Sequence, residues 1–177
     1  MSSKIKDFKV SKSGVIEDVS IFRPSVNTDQ RGTLYTTFYK EVFDSFIPSN
    51  LFFKHDKFSK SFKNVLRGIH GDTKSWKLVT SVYGEIYQVI VDCRKNSPSY
   101  LKWESFKINE NNPISVLLPP GIGNSFYVHS EVAVYHYKLA YPGEYLDAED
   151  QFSFKWNDPK IKIKWPTNNP ILSNRDK

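Results

Sequence analysis

The sequence predicts an all-β protein, a sandwich or barrel of short strands, on three observations. Apolar, β-branched and aromatic segments recur with Gly, Pro, Asn and Asp between them, the pattern of many short strands joined by turns. Phe, Trp and Tyr make up 15% of the 177 residues, enough for a thick core. Only one segment carries a helical period. In chain order the expected strands are residues 15–22, 33–38, 51–53, 65–69, 77–83, 86–91, 103–108, 114–118, 125–128 and 132–139. Residues 40–47 form the exception: Phe43, Phe46 and Ile47 share a helical face and Pro48 ends it. Tyr83-Gly84-Glu85-Ile86 reads as a tight hairpin turn with Gly84 at positive φ. Pro119-Pro120-Gly121 ends one strand and turns the chain. After Tyr141 the chain becomes polar and punctuated by proline, which suggests a segment wrapping the barrel as far as Lys177.

The composition narrows the class. At this length one domain spanning 1–177 is the simplest expectation. No apolar run approaches the roughly 18 residues of a membrane span. The start, MSSKIKDFKVSKSG, lacks the apolar block of a secretory signal, so a cytoplasmic location is expected. Cys93, the single cysteine, excludes an internal disulfide and a cysteine metal cluster, and its neighbours Ile90, Val91 and Asp92 suggest a structural thiol in a strand. The formal charge of +6 comes from 25 basic and 19 acidic residues. Its lysines are spread along the chain rather than gathered in a stripe, which argues against nucleic acid while favouring small anions.

The chemistry concentrates in VLRGIH, residues 65–70, and the Lys77 that follows. His70 can move protons near neutral pH. Arg67 offers a planar fork to a phosphate, and Lys77 can stabilise developing negative charge. A base, an anion clamp and a cation suit proton abstraction beside a carbonyl on a phosphorylated substrate. By itself the segment also fits an ordinary strand with exposed basic residues. His55, His70, His129 and His136 are too scattered for a metal site, so no metal or other cofactor is expected. His129 and His136 are read as flanking a strand and turn on the outside, without a role. His55 fits either a strand or a pocket wall. GIGNSF has the wrong spacing for a phosphate loop. Strand alternation places Ala133, Tyr135 and Tyr137 on one face. Tyr137 is therefore either a barrel-mouth acid or a core residue, and Asp176, next to last, reads as a tail residue.

Collinear motifs then carry a resemblance. DQRG at 29–32, VLRGIH at 65–70, KLV at 77–79, GEIYQVIVDCRKNSPSY at 84–100, LPPGIGNSF at 118–126, VAVYHYKLAY at 132–141, WNDP at 156–159 and ILSNRD at 171–176 resemble the dTDP-4-dehydrorhamnose 3,5-epimerases. The resemblance implies a cupin-type jelly-roll barrel with short peripheral helices. It implies a homodimer whose N-terminal strands are exchanged between partners, and no metal requirement. It also implies roles: His70 as base, Asp176 as the acid orienting it, Lys77 near the keto oxygen, Tyr137 on the opposite face of the sugar, and Arg31 and Arg67 on the diphosphate, Arg31 reaching into the partner. Arg67 and His70 have opposite strand parity, so a bulge or bend at Gly68 is expected if both face one pocket.

Departures from the family pattern fall at the expected substrate walls. Gly71 and Asp72 replace Tyr-Gln after RGxH, Asn124 replaces a histidine, Thr36 an acidic residue, and His55 and Lys57 a Gln and an Asn. His55, Lys57, Asn124 and Asp72 are accordingly candidate substrate contacts. The sequence is similar to the branch acting on GDP-linked 4-keto-heptoses for capsule or surface polysaccharide. The ordinary dTDP-sugar reaction, a sugar-nucleotide 3,4-ketoisomerase and a non-catalytic binding barrel stand as alternatives.

Overall fold

The computed structural model describes residues 3–177; Met1 and Ser2 of the N-terminal segment lie outside them. The described strands are β1 (Ser3–Ile5), β2 (Phe8–Lys12), β3 (Ser20–Pro24), β4 (Val26–Asp29), β5 (Gly32–Tyr35), β6 (His55–Phe62), β7 (Leu66–Gly71), β8 (Trp76–Tyr83), β9 (Ile86–Asp92), β10 (Trp103–Ile108), β11 (Ser115–Leu118), β12 (Ile122–Val128), β13 (Val132–Ala140) and β14 (Phe152–Ser153). One helix, α1 (Lys40–Phe43), continues into a 3-10 turn, Asp44–Phe46. This is the all-β architecture the sequence predicts.

Two sheets face each other. The larger runs β1-β2-β3-β11-β8-β13-β6 and the smaller β10-β9-β12-β7-β14, while β4 and β5 form a separate hairpin. Between the sheets lies the main core, with Val79, Val116, Leu118 and Tyr135 from the large sheet and Ile86, Ile90, Ile122 and Phe126 from the small one. A second cluster covers the outer face of the large sheet, where Val42, Phe43 and Ile47 pack on Phe8, Phe22, Leu78 and Leu117. A third covers the outer face of the small sheet, where Ile161, Ile163 and Trp165 pack against Val89 and Val91. With both faces covered, β11 is buried at every position, which is why its sequence lacks alternation.

Several expectations need correcting. Residues 15–19 are a turn: the Ser13 hydroxyl accepts from the N–H of Val15 and Ile16, and Asp18 has φ +68°. Residues 51–53 are irregular, and the strand lies just beyond them as β6. That strand, HDKFSKSF, is the edge of the large sheet, so it is too polar to read as a strand. His136 does not flank a strand. It sits within β13, buried beneath Phe58, with ring centroids 4.5 Å apart, and its Nε2 is 2.7 Å from Asp56 Oδ1. Gly84 has φ +75° as its turn requires.

Candidate active site

Both strands of the VLRGIH problem meet at one irregularity. On β12, Asn124 pairs with His70 and Phe126 with Arg67, so Ser125 faces the two residues Gly68 and Ile69. Directly opposed residues in an antiparallel pair point to the same side. The extra residue therefore restores parity, and Arg67 and His70 both face the interior. Gly68 has φ +108°, and a Cβ there would overlap the Asn124 carbonyl oxygen and Ser125. A glycine is thus required where the strand must bulge against its neighbour.

The C-terminus closes the site from outside. Asp176 is 3% exposed, so it is not a loose tail residue. Its Oδ1 lies 2.7 Å from His70 Nε2, an oblique ion-pair contact, and accepts from Gly68 N at 3.3 Å. Its Oδ2 accepts from the Ser173 hydroxyl at 2.6 Å. Burial would raise this carboxyl, but His70, Ser173 and Gly68 outweigh it and hold the pKa below its ordinary value. Leu66 N donating to Ile171 O and Ile171 N donating to Asn64 O pin the preceding turn to β7. Backing an imidazole with a buried carboxylate in this way fixes the orientation of its ring.

Lys77 and Tyr137 come from the large sheet. Lys77 is buried, with Nζ 3.0 Å from Asp72 Oδ2. Burial lowers its pKa, and Asp72 opposes that effect. Asp72 also accepts from the N–H of Lys74 and Ser75 at 3.0 and 2.6 Å. Asp72 is turned toward its own loop and Lys77 and is not among the residues that line the cavity. The Tyr137 phenol is pushed up to about 12, chiefly by burial, with Tyr145 and Asp176 adding to it. The phenol therefore keeps its proton across the neutral range.

These groups surround a cavity of about 330 Å³. His70, Lys77, Tyr137, Asp176, Arg67, Lys57 and Asn124 all line it. His55 does not: its Nδ1 is 3.2 Å from the Tyr141 hydroxyl, and its ring packs edge-on against Tyr145. Arg31 is also elsewhere, at the tip of the β4–β5 hairpin in an exposed pair with Asp29. Sequence reasoning missed Arg175, whose Nη2 is buried without a partner at the cavity wall, and Tyr145, which closes the rim. Arg175 adjoins the Asp176 that the motif had already marked, and that adjacency was the available signal. Among the described residues no three of His, Cys, Asp and Glu converge as a metal site would need.

Residues 13–177 match the family described as dTDP-4-dehydrorhamnose 3,5-epimerase. The chain belongs to this family. It is 36% identical over 164 residues to the dTDP-4-dehydrorhamnose 3,5-epimerase of Shigella flexneri, covering 91% of this chain and 89% of that one. Among solved structures it resembles the dTDP-6-deoxy-D-glucose 3,5-epimerase of Legionella pneumophila in complex with dTDP-4-keto-L-rhamnose. That match has a TM-score of 0.85 and 31% identity, over 96% of this chain and 89% of the other. A 4-keto-6-deoxy sugar epimerase from the novobiocin cluster of Streptomyces spheroides gives TM-score 0.85 at 32% identity, over 96% and 84%. The fold is thus that of the cupin epimerases, and this protein is an isomerase acting on 4-keto sugar nucleotides. Among the described residues no helix of the epimerase is long and apolar enough to cross a membrane.

Proposed function

We propose that this epimerase inverts C3, C5 or both of a GDP-linked 4-keto-heptose through an enolate, with His70 as base and Tyr137 as acid. One observation carries the reading. His70 stands on the small sheet, Tyr137 and Lys77 on the large one, and all three line one cavity. A C4 ketone acidifies the protons on C3 and C5. His70 removes one of them, the electron pair moves to the C4 oxygen beside Lys77, and Tyr137 returns a proton to the other face. Proton delivery from the wall opposite the base inverts the carbon. The test is proton NMR in deuterated water with GDP- and dTDP-linked 4-keto sugars. Deuterium should enter at C3 or C5 while the carbonyl stays at C4. A carbonyl at C3 would indicate a ketoisomerase, and no exchange a binding barrel.

The nucleotide preference rests on Lys57, which adds a charge to the cavity wall where the family pattern has a neutral residue. Arg67 and Arg175 add two more cations for a diphosphate. Calorimetric competition should favour GDP, and a dTDP preference would return the enzyme to the ordinary rhamnose reaction. We further propose a homodimer of one-domain chains, in the cytoplasm where nucleotide sugars are made. Support comes from the β4–β5 hairpin, which among the described residues pairs with no other strand and leaves Leu34 74% exposed. Phe58 and Phe62, each 63% exposed, stand on the edge strand β6, which pairs with β13 on one side only. Crossing to a partner would carry Arg31 toward the other cavity. An active monomer by light scattering would overturn this arrangement.

A further inference from the structure

Beneath the cavity floor lies a buried chain of polar groups that the acid–base reading does not use. Gln88 and Tyr135 are both 0% exposed. Gln88 Nε2 donates to Asn124 Oδ1 at 2.7 Å and to the Val89 carbonyl at 3.3 Å. The Tyr135 hydroxyl donates to Gln88 Oε1 at 2.6 Å and sits 3.1 Å from Asn124 Oδ1. Tyr135 is itself clamped, stacked on Phe126 at 4.2 Å and edge-on to Tyr137 at 4.7 Å.

The polarity of this chain is determined, because a backbone carbonyl only accepts. Val89 O therefore requires the Gln88 nitrogen on its side, which leaves Gln88 Oε1 to the tyrosine proton. The same nitrogen meets Asn124, so the Asn124 atom facing it is the oxygen. With that oxygen enclosed, the amide NH2 is the part of Asn124 left for the cavity it lines. It lies directly across the β7–β12 pair from His70. Reversing any one amide would set two donors or two acceptors against each other in a site that excludes water, which is costly.

We propose that Asn124 is a catalytic residue, a neutral N–H donor to the C4 oxygen as it gains charge in the enolate, and that Gln88 and Tyr135 are positioning residues that hold its donor end toward the substrate. The inference rests on the epimerase reading above. It gives the C4 oxygen two donors of different kinds, the Lys77 cation from one sheet and the Asn124 amide from the other. A neutral donor fixed before the reaction stabilises the enolate without a reorganisation step. It also leaves His70 without a second titrating group directly across the strand pair.

Two near-isosteric variants test it, read by deuterium exchange at C3 and C5. Asn124→Asp replaces the donor with an acceptor and should lower kcat by about 100-fold or more. Gln88→Glu removes the donor that faces Asn124, so the amide should turn its oxygen to the cavity and kcat should fall with KM little changed. A protonated carboxyl restores one donor and one acceptor. The kcat of Gln88→Glu relative to wild type should therefore recover as pH is lowered, which a merely structural role would not produce. Melting temperatures near wild type establish that the variants are folded. Folded variants that exchange at the wild-type rate at every pH would overturn the relay while leaving the epimerase reading intact. A wild-type enzyme that exchanges no 4-keto sugar nucleotide would overturn both.

Discussion

Among the described residues two His–Asp contacts have the same length, 2.7 Å, in two different regions. At the cavity, His70 meets Asp176, whose carboxylate is buried and bonded on both oxygens. On the outer face of the large sheet, His136 meets Asp56, whose side chain is 48% exposed and shared with Lys138 at 2.7 Å. The first histidine opens on a cavity with a cation and a phenol opposite. The second is covered by Phe58 and has no cavity before it. Distance therefore does not distinguish the contact at the cavity from the one on the outer face of the sheet. What distinguishes them is whether the carboxylate is desolvated and whether the imidazole has somewhere to send its proton.

The largest expected contrast is between the histidines. His70→Asn should cut exchange at both carbons by about 10⁴-fold, the upper range for a general base. His136→Asn should leave the rate unchanged. Comparable losses from the two, measured by NMR in deuterated water, would show that the cavity dyad is not special. Next comes Tyr137→Phe, which should lower inversion about 10- to 100-fold while washout on the base's own face continues. Normal inversion by this variant would mean that water or another group supplies the proton.

The carboxylates should differ both in rate and in stability. Asp176→Asn should lower kcat about 100-fold. Because Asp176 is buried with three partners, it should also cost about 1–3 kcal/mol in denaturant unfolding, more than its place in the chain suggests. Asp56→Asn should cost no more than about 1 kcal/mol and no activity. The smallest effect is on acid stability. The Asp176 pKa is lowered on folding, so its contribution is fully present above the unfolded value of about 3.9 and is lost as pH falls through the folded one. The stability gap between wild type and Asp176→Asn should therefore narrow below about pH 4. A gap that stays constant through acid titration would show that the Asp176 contacts owe nothing to its charge.

Legibility in the sequence followed burial. The strands β9 and β13, each with one wholly apolar or aromatic face, were readable nearly to their ends, and so were β8 and β10, in which apolar and aromatic residues make up half or more of the segment. The edge strand β6 and the two-residue β14 were not, because pairing rather than local pattern makes them strands. In the site, His70, Lys77, Tyr137 and Asp176 were marked by motif and converge on one cavity. Asp72 and His55 were marked as departures from the family pattern and do not line it, since the partners that hold them, Lys77 and Tyr141, come from other elements. Gln88 passed unnoticed: a polar residue inside an apolar strand gives no hint of what it bonds.

By itself the sequence determined the all-β class, the family, and the set of groups able to move protons and hold an anion. Residue type, alternation and motif order are local properties of the chain. Tertiary structure decided which of those groups work together. The bulge at Gly68 turns Arg67 and His70 to the same side, and the last turn of the chain buries Asp176 against the imidazole. One backbone carbonyl, Val89 O, sets the direction of an amide two residues across the sheet interior. Each of these depends on where distant segments meet, and the free energy of a buried polar group is set by the partners it meets there.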